Sequence, residues 1–242
     1  MIRSLIFLSS ILTISILIAG CARFPSTGNI SNAPSRTLYS EITLQDRINP
    51  NYYYFLALDT DQNTATGPVP VVTGYGYTNG WGTIAPTPPD ENPIEPPFYV
   101  EFHNGIFEQY RNGQPLSPPF RSGLSEDGKT LWVEIDESLL DPLIGSVSSP
   151  IVQLNWITME DIDPSLSEGD RKQYDGFGRT GNDYLDAVTL KTAMTWTSGE
   201  GTIPVEYPYG VEEQTTSNEA IDIVHWQVQT KIQTQSTAVR QY

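Results

Sequence analysis

The stretch Asn51–Leu58 reads NYYYFLAL, eight residues with only one clearly polar position. A half-buried strand alternates apolar and polar side chains; a run that is apolar throughout and bounded by turn residues reads as a strand covered on both faces. Working outward, Leu38–Leu44 reads as a first strand and Ile151–Met159 (IVQLNWITM) as another long one. Near the end, Val224, Trp226, Val228, Thr230 and Ile232 alternate with His225, Gln227, Gln229, Lys231 and Gln233. That strict period of two predicts a strand with one buried and one wet face. Leu185–Leu190 is a further short strand.

The joints agree with this reading. Asn104-Gly105 lies between Phe98–His103 and Ile106–Arg111, and Asp127-Gly128 between Phe120–Leu124 and Thr130–Ile135. Both dipeptides predict two-residue hairpin turns, which need positive φ at both central residues. Glu137–Ile144 predicts one or two helical turns, with Pro142 limiting the length. No long 3.6-residue period and no internal repeat is present. The expectation is an all-β chain of eight to ten strands, an antiparallel β-sandwich or jelly roll.

The N-terminus addresses the chain. Arg3 precedes Leu5–Ile18, an apolar run broken only by Ser and Thr, and Ile18-Ala19-Gly20-Cys21 follows. The run is short for a transmembrane helix and fits a secretory leader. It resembles a bacterial lipobox, which implies cleavage before Cys21 and acylation of that residue. Cys21 is the single cysteine of 242 residues, so no internal disulfide is available. The expected layout is a signal peptide over 1–20, a lipidated flexible tether over 21–36, a β-sandwich domain over 37–235 and a frayed tail over 236–242. The tether reading rests on its Ser, Pro, Asn and Gly content. The six prolines of Ala85–Pro97 mark a loop, and the one competing domain boundary.

Charge excludes one class of partner. The chain carries 29 acidic against 13 basic residues, a net charge of −16, and the leader removes one further positive charge. Nucleic acid needs clustered Lys and Arg, so it is not expected as a partner.

Two constellations point to ligands. Asp59, Asp61 and Asn63 place three side-chain oxygens in one loop, the donor type that calcium prefers; an ion-free Asx-turn is the competing reading. Asp161 and Asp163 form a second acidic cluster. Tyr75, Tyr77 and Trp81 stand in a glycine-rich stretch, Gly74–Gly82, whose flat rings suit stacking on sugars. Against catalysis, His103 and His225 are the only histidines, and no G-x-S-x-G or H-E-x-x-H motif occurs.

Tyr52–Asp61 with Thr66-Gly67-Pro68, and Leu131–Ile135 leading to Leu139-Leu140, resemble the pattern of DOMON and family 9 carbohydrate-binding β-sandwiches. That resemblance implies sugar, haem or calcium binding. Haem is not carried over, although Met159 and Met194 exist. Calcium would fall on Asp59, Asp61 and Asn63, and sugar on Tyr75, Tyr77 and Trp81. The expected function is therefore an extracytoplasmic, lipid-anchored, non-catalytic module that binds a ligand such as a glycan. The alternatives are an assembly lipoprotein that binds an envelope protein through a sheet edge, and a hydrolase with a carboxylate pair.

Overall fold

The computed structural model describes residues 35–63, 67–68, 98–145, 148, 150–160, 173–177, 184–198 and 216–232. They all belong to one compact unit, Pro34–Tyr242. Cys21, the leader, Tyr75, Tyr77, Trp81, Asp161, Asp163, the Pro-rich loop and the tail lie outside the described residues.

The strands are β1 (Arg36–Leu44), β2 (Tyr53–Asp59), β3 (Phe98–His103), β4 (Ile106–Arg111), β5 (Gln114–Pro115), β6 (Arg121–Leu124), β7 (Thr130–Asp136), β8 (Ile151–Met159), β9 (Tyr174–Gly176), β10 (Leu185–Thr189), β11 (Met194–Thr197) and β12 (Ile223–Ile232). A 3-10 turn, Glu137–Leu139, and a single helical turn, α1 (Asp141–Ile144), follow β7, with Pro142 near the start of α1. Every pairing is antiparallel. A five-stranded sheet runs β11-β12-β1-β7-β6; a seven-stranded sheet runs β10-β8-β2-β3-β4-β5, with β9 also on β8. The protein is an all-β sandwich. β1 opens at Arg36, so the last residue of the expected tether is the first residue of the sheet.

The main core lies between the sheets. Leu38, Ile42, Leu131, Val133, Ile135, Trp226 and Val228 from one sheet meet Tyr54, Leu56, Leu58, Phe98, Val100, Phe102, Val152, Leu154 and Trp156 from the other. Each such side chain contributes about 1.5–3 kcal/mol on leaving water. Several polar groups inside find partners, as burial demands. The Trp156 indole N–H donates to Ser40 Oγ at 2.7 Å, across the sandwich. Tyr54 Oη donates to the Ala220 carbonyl at 2.9 Å, and Asp175 Oδ2 accepts from the Ile223 N–H at 2.7 Å. These bonds stitch the entrance of β12 to the seven-stranded sheet.

β2 is covered on both faces, as NYYYFLAL predicts. Tyr54, Leu56 and Leu58 face the main core, while Tyr53, Phe55 and Ala57 join Tyr99, Ile157 and Met159 in a second apolar cluster on the outer side.

The Asn104-Gly105 turn has both residues at positive φ, 51° and 77°, and pairs His103 with Ile106. Asp127-Gly128 differs from the two-residue turn expected. Only Gly128 is at positive φ (73°), and the loop is wider, closed by Ser125 N–H to the Thr130 carbonyl at 2.9 Å. The Asp127 carboxylate accepts from the Lys129 N–H at 3.0 Å, and so organises the loop instead of entering αL. Asn112-Gly113, unread in the sequence, makes the other tight turn, at φ 48° and 69°, and pairs Arg111 with Gln114.

β12 also departs from its pattern at one end. Its register on β1 slips between Thr43 and Leu44, so Leu44 faces Ile223 and Val224 is passed over. This bulge buries Ile223 and leaves Val224 exposed, the reverse of the expected phase.

Candidate functional site

The Asp59 loop is held by its own backbone. Asp59 Oδ1 accepts from the Asp61 N–H at 2.9 Å, and Asp61 Oδ1 from the Asn63 N–H at 2.6 Å. Gln62, at φ 66°, donates from Nε2 to the Ile151 carbonyl at 2.8 Å. Burial raises the Asp59 carboxyl above its ordinary value. Two successive Asx-turns thus use one oxygen of each aspartate. Among the described residues no three His, Cys, Asp or Glu side chains gather as a metal group.

The histidines lie far apart in role. His103 stacks on Tyr53 at 3.8 Å and donates from Nδ1 to the Tyr52 carbonyl at 3.2 Å. His225 Nδ1 lies 2.6 Å from Ser198 Oγ, which also accepts from the Trp226 N–H at 3.2 Å. This second pair fastens β12 to the end of β11.

The two outer faces of the sandwich carry the remaining chemistry. On the seven-stranded sheet, the register sets Phe55 beside Glu101 and Glu101 opposite Glu108. Tyr99 stacks on Tyr110 at 4.8 Å in the next row. Burial, with Glu108 adding repulsion, pushes the Glu101 carboxyl up to about 7. The two glutamates stand side by side on one sheet face rather than across a cleft, unlike the flanking pair of a glycoside hydrolase.

On the five-stranded sheet the register builds a different lattice. One row runs Arg121, Glu134, Tyr39, Gln229, Thr195; the next runs Gly123, Trp132, Glu41, Gln227, Thr197. Tyr39 and Trp132 lie diagonally, their ring centroids 6.2 Å apart at 27°. Lys231 Nζ sits 4.1 Å from the Tyr39 ring centre, a cation–π contact. At the other end, a Cβ on Gly123 would stand 2.9 Å from the Trp132 ring, so only glycine lets the indole lie over β6. Both rings are half-buried. The Tyr39 hydroxyl donates to Glu41, and Thr37 Oγ1 donates to Glu134 at 2.7 Å. Burial and these carboxylates raise the Tyr39 hydroxyl well above its ordinary value. Gln227 and Gln229 carry amides that take no internal hydrogen bond among the described residues. Flat rings bordered by amide, carboxylate and guanidinium groups offer both stacking and two-way hydrogen bonding.

Sequence reasoning missed Tyr39, Trp132 and Lys231 as a group, because they sit on three strands far apart in the chain. The one sequence signal was that Trp132 falls on the wet phase of TLWVEI. No protein-family model, no curated protein and no solved structure matches this chain.

Proposed function

We propose that the protein is a lipid-anchored extracytoplasmic module that binds a glycan, without catalysis, on the outer face of the five-stranded sheet. The observation that carries this reading is the diagonal Lys231–Tyr39–Trp132–Gly123 across three rows of the sheet. An aromatic pair laid along the sheet, beside Gln227 and Gln229 side-chain amides that take no hydrogen bond among the described residues, matches what a pyranose ring needs: an apolar face to cover and hydroxyls to bond. Acylation of Cys21 supplies the membrane attachment, since stable anchoring takes more than one chain. Calcium at Asp59, Asp61 and Asn63 is a separate part of the proposal, and Tyr75, Tyr77 and Trp81 are the sequence's own sugar candidates.

The test is a glycan-array screen on the full chain in detergent, run with calcium and with chelator. Binding that disappears in Trp132→Ala supports the sheet face; loss in Trp81→Ala instead moves the site to the Gly74–Gly82 stretch. Calcium dependence would bring in Asp59 and Asp61. Absence of any glycan binding removes the reading. In that case the exposed Met194 and Ile232, at the edge formed by β11 and β12, favour a protein partner added at the sheet edge. Cys21→Ala is expected to leave the membrane fraction.

A further inference from the structure

We infer that the glycan bound on the five-stranded sheet is an acidic one, its anionic group held between Arg121 and Lys231; this rests on the glycan reading above. Arg121 stands on β6 in the Tyr39 row, and Lys231 on β12 in the next row, opposite Thr37. Both reach toward a single carboxylate, Glu134: Arg121 Nη1 at 3.7 Å and Lys231 Nζ at 3.9 Å. Those separations are loose for ion pairs, and neither cation makes a close bidentate contact there. Glu134 is 4% exposed and already accepts from Thr37. The cations, by contrast, keep side-chain exposures of 58% and 39%. What solvent meets is therefore two positive ends sharing one buried negative charge.

The neighbouring carboxylates are turned to internal donors. Glu41 accepts from the Tyr39 hydroxyl, and Asp136 Oδ1 from the Ser138 N–H at 2.9 Å. Arg121 also lies over the Phe120 ring at 4.9 Å and Lys231 over Tyr39, so both cationic ends are held at this surface of a chain of net charge −16. Repulsion from distant acidic residues is screened beyond about 8 Å at physiological salt. The local pair then decides the sign of the ligand. A sugar stacked on Trp132 would present a ring carboxylate or an ester-linked sulfate to the two cations, and its hydroxyls to Gln227 and Gln229.

The experiment compares hexagalacturonate with its fully methyl-esterified form on the full chain by calorimetry. The ester keeps the ring and removes the charge. A sulfated galactan of equal length separates carboxylate from sulfate recognition. Tighter binding of an acidic form, with the acid-over-ester preference cut about tenfold in Arg121→Gln and in Lys231→Gln, supports the inference; tenfold is the loss of one charged contact of ordinary strength. Thermal melts confirm that each variant is folded, and the two independent variants guard against one failing. Equal affinity for acid and ester, or variants that bind acid as the wild type does, overturns the inference and leaves the glycan reading standing. Binding of neither form by a wild-type chain that also binds no array glycan overturns both.

Discussion

The two outer faces of this sandwich are built from the same strand geometry and have opposite fates. On the five-stranded sheet the outer positions of β1, β7 and β12 are polar or amphipathic: Thr37, Tyr39, Glu41, Trp132, Glu134, Gln227, Gln229 and Lys231. On the seven-stranded sheet they include Tyr53, Phe55, Ala57, Tyr99, Ile157 and Met159, all buried, with half-buried Glu101 and exposed Glu108 toward β4. A strand with one solvated face alternates; a strand covered twice does not. Among the described residues the first face keeps half-exposed rings and charged ends, and the second acts as a further core.

The sharpest way to break this comparison is Phe55→Ala. If the outer face of β2 is core, the truncation costs about 3–5 kcal/mol, comparable to a Leu56→Ala change on the inner face. Urea unfolding measures both, and a Phe55→Ala cost under about 1 kcal/mol would remove the second core. Next in size is Gly123→Ala, where the added methyl meets the Trp132 ring. Overpacking of this kind costs about 1–3 kcal/mol. A melt unchanged in Gly123→Ala would show that the indole can move off β6, and the row would lose its fixed platform. Gly105→Ala, in open space but at φ 77°, isolates the purely backbone cost of about 1–2 kcal/mol.

The pH dependence of stability sharpens the comparison further. Glu101 on the apolar face, and Glu137 buried 3.7 Å from Arg36, both have carboxyls raised by burial from 4.5 to about 7. A folded state that holds protons more tightly than the unfolded chain is favoured at low pH. Their contribution therefore falls as pH rises from about 4.5 through about 7. Chemical denaturation across that window should show the decline, and Glu101→Gln and Glu137→Gln should each flatten it. A slope unchanged in both variants would place the titration elsewhere. The smallest expected effect on folding is Trp132→Ala, at about 1 kcal/mol or less for a half-buried ring on an open face. Its large effect is expected in glycan binding, and equal losses in both assays would make the ring structural.

Much of the architecture could be read in the chain. NYYYFLAL showed a twice-covered strand, Asn104-Gly105 a tight hairpin, and Val224–Gln233 a one-sided strand, because these signals are local in sequence. Several features escaped, the Asn112-Gly113 turn among them. Met194–Thr197 and Tyr174–Gly176 are too short to carry a period. The bulge opposite Leu44 shifts the phase of β12 through a partner strand nearly the whole domain away. Asp127 satisfies its loop through its side chain, which the dipeptide does not distinguish from a two-residue turn.

The candidate site was less legible than the fold. The sequence nominated the Asp59 loop, and in the fold Asp59 and Asp61 form Asx-turns, the competing reading of the same residues. It did not nominate Tyr39, Trp132, Arg121 and Lys231. Alternation says that each points away from the core, yet only the pairing order β12-β1-β7-β6 brings them into adjacent rows.

By itself the sequence determined the all-β class, the buried character of β2 and the chemistry of its turns, since these depend on periodicity, side-chain polarity and the φ preferences of Asn and Gly. The tertiary structure alone decided which strands became neighbours and which outer face was closed. That follows from register: lateral contacts between strands are set by pairing across the whole chain, and no local pattern encodes which ring comes to lie beside which charge.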